Sequence, residues 1–369
     1  MLKSLKIENF RCFKSFELQK LGRINLLVGV NNSGKTSILE ALYLLNSTPN
    51  GEVLNVFQSI MSARGEYIFN SGREDSDELE LDIKHLFYGH EIDSKSVFCI
   101  SDQNNKALTV SIRESNEFTL KKGNNEFTLE KGNFELIEPL VICVEWAEKE
   151  SEKFISPLSS RDGLPTRYIR SRIISPHKVL KVEAQYVSSN SLNTEEMIDL
   201  FDRFVLTPEE ELVIEALKAI EPKIERIASV GTKVSSARSG FRVKFANSTK
   251  PVPIGSMGDG MWRILGLALA IANAKDGVLL VDEIDTGLHF TAMTDMWKMI
   301  WETAKRLNVQ VFATTHSSDC WQSLAEIINE DHHSEDGITI HRIEKDTPCS
   351  IIFNEKQIAI AAKRNLEVR

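Results

Sequence analysis

One stretch near the N-terminus, INLLVGVNNSGKTSILEALYLL (residues 24–45), limits what this chain can fold into more than any other. Its centre has the spacing Gly29-x-x-x-x-Gly34-Lys35-Thr36. Glycines at these points let backbone N–H groups close around a phosphate. A lysine adds a point charge for the outer phosphates, and a threonine hydroxyl suits a bound Mg²⁺. The flanks agree: INLLV is an apolar run of strand length, and SILEALYLL has helical spacing and no breaker. Strand, loop and helix in that order put an anion at the positive end of a helix dipole. The stretch reads as a nucleotide-binding loop.

Composition narrows the class of protein that carries this loop. With 369 residues and 42% apolar content, the chain is long enough for a sizeable soluble core. No apolar run reaches the length of a membrane-spanning helix, and RILGLALAIANA is too short to cross a bilayer. MLKSLKIENFRCF lacks the apolar core of a signal peptide. Five cysteines, with no CxxC pair, suggest reduced thiols in a cytoplasmic protein. A net charge of −9 argues against an overall basic nucleic-acid binder and leaves room for a local patch.

Residues 3–30 read as two or three strands leading into the loop. A short helix is expected near 53–63. Alternation then dominates from about 78 to 147 (LELDIKHLF, SVFCISD, ALTVSIRE, PLVICVEW), the pattern of an inserted antiparallel β region. Inside it, NEFTLKKGN is followed by NEFTLEKGN, a duplicated strand whose Gly-Asn ends mark a hairpin or meander. Residues 161–181 hold six Lys or Arg against one acid, either a solvated face or a phosphate-contacting patch. TEEMIDLFDRFVL and PEEELVIEALKAIEPKIERI have helical periodicity, and FRVKFANSTKPVPI reads as a hairpin.

Three further motifs carry chemistry. GSMGDGMWRILGLALAIANA sets Ser256, Gly258 and Gly260 ahead of a long apolar helix, where bare N–H groups make an anion site. GVLLVDEIDTGLH ends a buried strand in Asp282 and Glu283. A carboxylate in the first position suits Mg²⁺ and its waters; one in the second suits a general base or a water-positioning group. VQVFATTH ends the next βα strand at His316, where an adjacent parallel strand would aim it at the same sheet edge. EDHHSEDG (330–337) has the composition of a solvated loop.

In this order the motifs resemble ABC-type ATPase heads, and within them the RecF and OLD (overcoming lysogenization defect) branch. LKIENFRCFKSFEL, the phosphate loop, GSMGDGMWRILGLALAIANAKDGVLLVDEIDTGLH and NVQVFATTHSSDC carry the likeness, which runs essentially end to end. The resemblance implies an α/β P-loop NTPase head: a mixed sheet with helices on both faces, an inserted antiparallel β region and a helical lobe. It implies one head over 1–369, with the P-loop core in 1–50 and 250–369, the β insert in 75–150 and the helical lobe in 190–230. IAIAAKRNLEVR looks like the natural end of a stand-alone member.

Carried over residue by residue, the resemblance gives ATP and Mg²⁺ as cofactors. Gly29, Gly34, Lys35, Thr36 and Ser37 would hold phosphates and metal, with Asn31, Asn32 and Ser33 lining the loop. Asp282 would complete the metal site with Thr36, Glu283 would polarise water, and His316 would contact the γ-phosphate. Asp285 would lie between the two sites of a dimer. Ser256, Gly258 and Gly260 would close in trans over ATP on the partner head, and Arg11 is a lesser nucleotide contact. The expected assembly is a homodimer, or higher oligomer, around two ATPs, with no membrane partner. The expected task is control of a separately encoded effector, a nuclease of Toprim-like or other type, in bacterial antiphage defence. The alternative is a RecF-like nucleotide-gated DNA clamp or scaffold, with Arg167, Arg170 and Arg172 on the DNA. Departures from the family pattern are real. No glutamine loop stands out, Gln58 and Gln185 being the candidates. About 50 residues follow His316, too few for a fused Toprim domain. A transporter subunit fits poorly, since the LSGGQ signature is absent.

Overall fold

The computed structural model describes residues 1–48, 52–68, 79–114, 117–122, 125–130, 140–147, 152–166, 183–230, 240–330 and 337–369. Two compact units divide the chain. One comprises Met1–Lys3, Gln19–Leu39 and Lys181–Arg369; the other comprises Ser4–Leu18 and Glu40–Leu180.

The first unit is α/β and carries the four motifs. Its elements are β1 (Ile24–Val28), the start of α1 (Lys35–Leu45, in this unit as far as Leu39), β2 (Ala184–Val187), α2 (Thr194–Phe204), α3 (Pro208–Ile220), β3 (Ile224–Ser229), β4 (Phe241–Phe245) and β5 (Val252–Pro253). They continue with α4 (Asp259–Asn273), β6 (Val278–Val281), α5 (Phe290–Arg306), β7 (Gln310–Thr314), α6 (Ser318–Glu330), β8 (Ile338–Arg342), β9 (Ile351–Phe353) and α7 (Glu355–Lys363). The main sheet has the order β2-β6-β7-β1-β8-β9, parallel throughout except for the antiparallel edge pair β8–β9. The mixed sheet expected of a P-loop ATPase is the one observed.

Strands β1, β6 and β7 are buried along their whole length, as strands covered on both faces must be. Alternate residues Ile24, Leu26, Val28, Leu279, Val281, Val311, Ala313, Ile338 and Ile340 share one core with α2–α6. Leu27, Leu280 and Phe312, on the opposite face by the period of two, are equally buried. Right-handed crossovers send α4, α5 and α6 to one face, because β2, β6, β7 and β8 succeed one another in the same direction across the sheet. A second, three-stranded antiparallel sheet, β3-β4-β5, delivers the chain to the α4 N-terminus.

The second unit is built on a six-stranded sheet ordered Glu152–Pro157, Leu140–Trp146, Ala107–Glu114, Val97–Asp102, Ser4–Phe10, Phe13–Gln19. The pairings of the four central strands are antiparallel. The duplicated nonapeptide forms an antiparallel hairpin, Glu117–Lys122 against Asn125–Glu130. Helix Glu52–Arg64 covers the helix expected near 53–63.

Two stretches fold differently from their sequence pattern. LELDIKHLF, read as a strand, gives only Glu80–Leu81 and then a 3₁₀ turn over Ile83–Leu86. Ile83 and Leu86 are both buried, and a separation of three fits a turn of three residues rather than a strand. The helical pattern of PEEELVIEALKAIEPKIERI stops at Ile220, and Ile224–Ser229 is a strand. Pro222 cannot continue a helix, and the residue before it is pushed to extended backbone, as Glu221 is at ψ 92°.

Helix α2 begins with a complete capping box. Asn193 accepts from the Glu196 N–H at 2.9 Å, and the Glu196 carboxylate accepts from the Asn193 N–H at 2.9 Å. Replacing Asn193 by Ala is expected to lower stability by about 1 kcal/mol, and Asn193→Asp to preserve it. The midpoint of urea unfolding reads the difference.

Candidate functional site

Three neighbouring strands of the first unit end at one edge of the sheet, and each hands over to a motif. β1 leads into the phosphate loop, β6 into Asp282-Glu283, and β7, between them, into Thr315-His316. Edges formed by the C-terminal ends of parallel strands are where α/β sheets bind ligands.

The loop needs its glycines for geometry. Gly29 has φ +144°, and a Cβ there would lie 2.4 Å from the Ile343 carbonyl oxygen. Gly34 has φ +99°, and Asn32 adopts φ +58°, a region that Asn tolerates. Lys35, the first residue of α1, is 5% exposed and donates from Nζ to the carbonyls of Gly29 at 2.9 Å and Val30 at 2.8 Å. Burial pulls its pKa down to about 8, against the opposing pull of Asp282 and Glu283. The Ser33 hydroxyl is buried without a hydrogen-bond partner among the described residues, while Asn31 and Asn32 are exposed. Ser37 is buried in the first turn of α1. No acid occupies that turn, so the positive end of the helix is left to an anion.

Asp282 lies opposite. Thr36 donates from Oγ1 within 3.2 Å of both carboxylate oxygens, and the Thr314 hydroxyl donates to Oδ1 at 2.6 Å. A hydroxyl and a carboxylate held this close form an all-oxygen donor set, the chemistry a hard cation selects. Among the described residues no three His, Cys, Asp or Glu side chains gather to hold a metal.

Glu283 is next in chain and adopts φ +46°, the left-handed region that glutamate enters infrequently. Its carboxylate accepts from the Thr286 hydroxyl at 3.2 Å and is half-buried. Asp285 accepts from the Thr315 hydroxyl at 2.6 Å. His316 is half-buried two residues past β7, and its carbonyl accepts from Arg369 at 2.7 Å. Ser256 and Gly258 are exposed ahead of α4. Gly258 has φ +92°, and a Cβ there would meet no atom within 4 Å. A Cβ at Gly260 would sit 3.4 Å from the Gly287 carbonyl oxygen, so the first turn of α4 packs on the loop that follows Glu283.

The structure thus brings Lys35, Thr36, Asp282 and Glu283 together. Arg11 belongs to the other unit, where it is 4% exposed. Its guanidinium is held by Glu40 at 2.9 Å, by Glu66 at 2.5 Å and by the His85 carbonyl at 3.0 Å. Gln185 bonds Asn273 and the Tyr186 carbonyl, and Gln58 lies on the helix Glu52–Arg64. Arg167, Arg170, Arg172 and most of EDHHSEDG lie outside the described residues. A cavity of about 370 Å³ between α3 and α5 shares no residue with the strand-end cluster.

Sequence reasoning missed Thr314 and Arg263. Arg263, 3% exposed, donates to the carbonyls of Ser188, Asp282 and Glu283 at 2.8, 3.0 and 2.9 Å. The available signal was a lone cation in the otherwise apolar run MWRILGLALAIA.

Residues 24–319 match the family model described as AAA domain, putative AbiEii toxin, Type IV TA system. The chain belongs to this family. As an AAA-domain protein it is 23% identical over 352 residues to an ATP/GTP phosphatase of Helicobacter pylori, with 89% of each chain covered. A local match, 51% identical over 45 residues and covering 12% of each chain, joins it to the DNA replication and repair protein RecF of Clostridioides difficile. Among solved structures, the Smc head domain with an extended coiled coil, bound to the C-terminal domain of ScpA derived from Pyrococcus furiosus, superposes with a TM-score of 0.46 at 13% identity. That alignment covers 99% of both chains. No helix among the described residues is long and apolar enough to cross a membrane.

Proposed function

We propose that this AAA-domain protein binds and hydrolyses ATP with Mg²⁺ at the edge formed by β1, β7 and β6. Two copies close around two nucleotides, and the cycle controls a separately encoded effector, in keeping with the OLD branch of ABC-type heads. The observation that carries the reading is the hydrogen-bonded cluster of Thr36, Asp282 and Thr314, with Lys35 at the start of α1 in the electrostatic field of Asp282 and Glu283. The relation to an ATP/GTP phosphatase along 89% of both chains supports hydrolysis. The family description, which names a type IV TA system, is in keeping with a partner protein and a role in defence.

In this scheme the N–H groups of 31–36 wrap the β-phosphate, and Lys35 bridges to the γ-phosphate. Thr36 and Asp282 would hold Mg²⁺, which when bound would supply charge neutralisation for the phosphates. Glu283 orients and deprotonates the attacking water, and His316 meets the γ-phosphate. Ser256, Gly258 and Gly260 reach the partner's nucleotide, with Asp285 between the two sites.

ATP turnover of the purified chain, with Mg²⁺ or EDTA and with or without duplex DNA, tests this directly. Mg²⁺-dependent phosphate release with an ATP-dependent increase in mass by light scattering is expected. Strong stimulation by DNA, lost at high salt, would favour a RecF-like clamp instead. Absence of turnover in every condition would remove hydrolysis from the reading.

A further inference from the structure

We infer that Arg263 is a positioning residue that fixes the Asp282–Glu283 turn of its own chain and so ties engagement of the α4 N-terminus to hydrolysis in cis. The inference rests on the proposed ATPase reading and adds a regulatory link within it.

The argument begins with the turn's backbone. Glu283 stands at φ +46°, a left-handed conformation that a Cβ disfavours and that the contacts around the turn offset. The N–H groups of the turn are fully engaged: Asp282 donates to the Val187 carbonyl at 2.9 Å, Glu283 to the Thr314 hydroxyl at 2.8 Å, and Ile284 to the Thr314 carbonyl at 3.0 Å. These bonds come from β2 and β7, the strands on either side of β6 in the sheet. The carbonyls of Asp282 and Glu283 face a different partner. Both accept from a single nitrogen, Nη2 of Arg263, while Nη1 of the same guanidinium binds the Ser188 carbonyl just past β2.

A planar guanidinium can hold three carbonyls in fixed directions at once; an ammonium cannot reproduce that fork. Its charge is buried at a site where desolvation lowers its pKa to about 10, and Asp285, Asp282 and Glu283 supply the compensating field. A buried cation with these bonds is expensive to place for stability alone, since an apolar side chain of similar size would fill the same helix position. Its carbonyl partners lie instead at the two residues whose side chains carry the chemistry.

Position in the chain supplies the coupling. Arg263 sits in the second turn of α4, whose first turn begins at Asp259 after Gly258. That first turn also touches the loop beyond Glu283: a Cβ at Gly260 would lie 3.4 Å from the Gly287 carbonyl oxygen, and one at Gly287 would lie 3.6 Å from the Asp259 Cβ. A displacement of the α4 N-terminus when it closes on a partner's nucleotide is therefore carried to Glu283 through one rigid fork. Misplacement of a reacting group by about 1 Å costs on the order of 10²-fold in rate.

The test uses the full chain with Arg263→Met and Arg263→Lys, each checked for folding by thermal unfolding. ATP affinity is expected to stay unchanged, single-turnover hydrolysis to fall by about 10²-fold in Arg263→Met, and Arg263→Lys to lose less. A readout that a merely structural role would not move is complementation. Ser256→Arg, on an exposed residue, blocks engagement in trans but leaves its own Glu283 turn intact. Mixed with Arg263→Met, it forms heterodimers in which one site pairs an intact turn with an intact α4 N-terminus. The α4 N-terminus of the chain that carries this intact turn is itself disengaged, so coupling in cis leaves the site idle and the mixture as inactive as its parts, whereas a merely structural Arg263 restores roughly a quarter of wild-type turnover by random pairing in a two-fold dimer. Folded Arg263→Met hydrolysing at the wild-type rate, or a mixture that recovers a quarter of wild-type turnover, would overturn the inference. Failure of the ATPase reading looks different, because the wild-type chain itself would then release no phosphate.

Discussion

Glu283→Gln is expected to abolish multiple turnover while leaving ATP binding intact, so that a closed dimer holding ATP accumulates. The substitution keeps the shape of the side chain and can still accept from the Thr286 hydroxyl, the contact seen at 3.2 Å. The bonds that set the turn involve the backbone of Glu283 and the side chains of Thr314 and Arg263, none of which changes. What disappears is the carboxylate able to take a proton from water, and general-base catalysis contributes typically 10²–10⁴-fold. The phosphate and metal contacts proposed for Lys35, Thr36 and Asp282 would remain, so on the proposed cycle closing on ATP is preserved while the step that reopens the dimer is lost. Light scattering with ATP should show the larger species persisting for hours in the variant and decaying in the wild type. Normal hydrolysis by Glu283→Gln would mean that another group positions the water.

The motifs were legible because each is a local requirement of chemistry on a short segment. A phosphate loop needs its glycines at fixed spacing, and Gly29 shows why: any side chain there would collide with the Ile343 carbonyl. The buried strands were legible for a similar reason, since VLLV and QVFAT must be apolar on both faces in the middle of a parallel sheet. The neighbour order was not. Nothing in AQYV marks Ala184–Val187 as the edge strand beside β6, yet it supplies the Val187 carbonyl that receives the Asp282 N–H.

Long-range polar contacts were hidden for the same reason. Arg263 and the carbonyls it serves are 75, 19 and 20 residues apart in the chain, and Thr314 reaches Asp282 across 32. Residue type says only that a buried arginine needs acceptors, not which ones. The helical assignment of PKIERI failed on a local conflict: helical spacing of apolar residues continued past Pro222, and the backbone constraint of proline prevailed over the pattern. Arg11 shows the converse. Its segment resembles the opening of the RecF and OLD branch, but Glu40 and Glu66 are its contacts in the fold, a fact carried by residues 29 and 55 positions away.

Lys35→Ala should weaken ATP binding by about 10²-fold or more, because it removes a desolvated cation from the phosphates it faces. The wild-type lysine also makes a pH signature that the variant must lose. With the site free, burial holds the Lys35 pKa at about 8 instead of 10.5. A polyphosphate favours the charged form and raises that value on binding. Below pH 8 the ammonium is already present, and this group contributes no pH dependence to affinity. Above pH 8 binding must take up a proton, so the wild-type Kd rises by up to tenfold per pH unit until the pKa of the bound state is reached. The same shift fixes the sign for folding. The native chain binds fewer protons at this lysine than the unfolded chain between pH 8 and 10.5, so its contribution to stability grows as pH rises through that window. Calorimetric titration of ATP at pH 7.0 and 9.0, in two buffers of different ionisation enthalpy, reads both effects. Proton uptake at pH 9.0 in the wild type and none in Lys35→Ala is the expected result. A wild-type affinity flat across that range, or a variant binding ATP as tightly as the wild type, would show that the phosphates are held without the Lys35 charge.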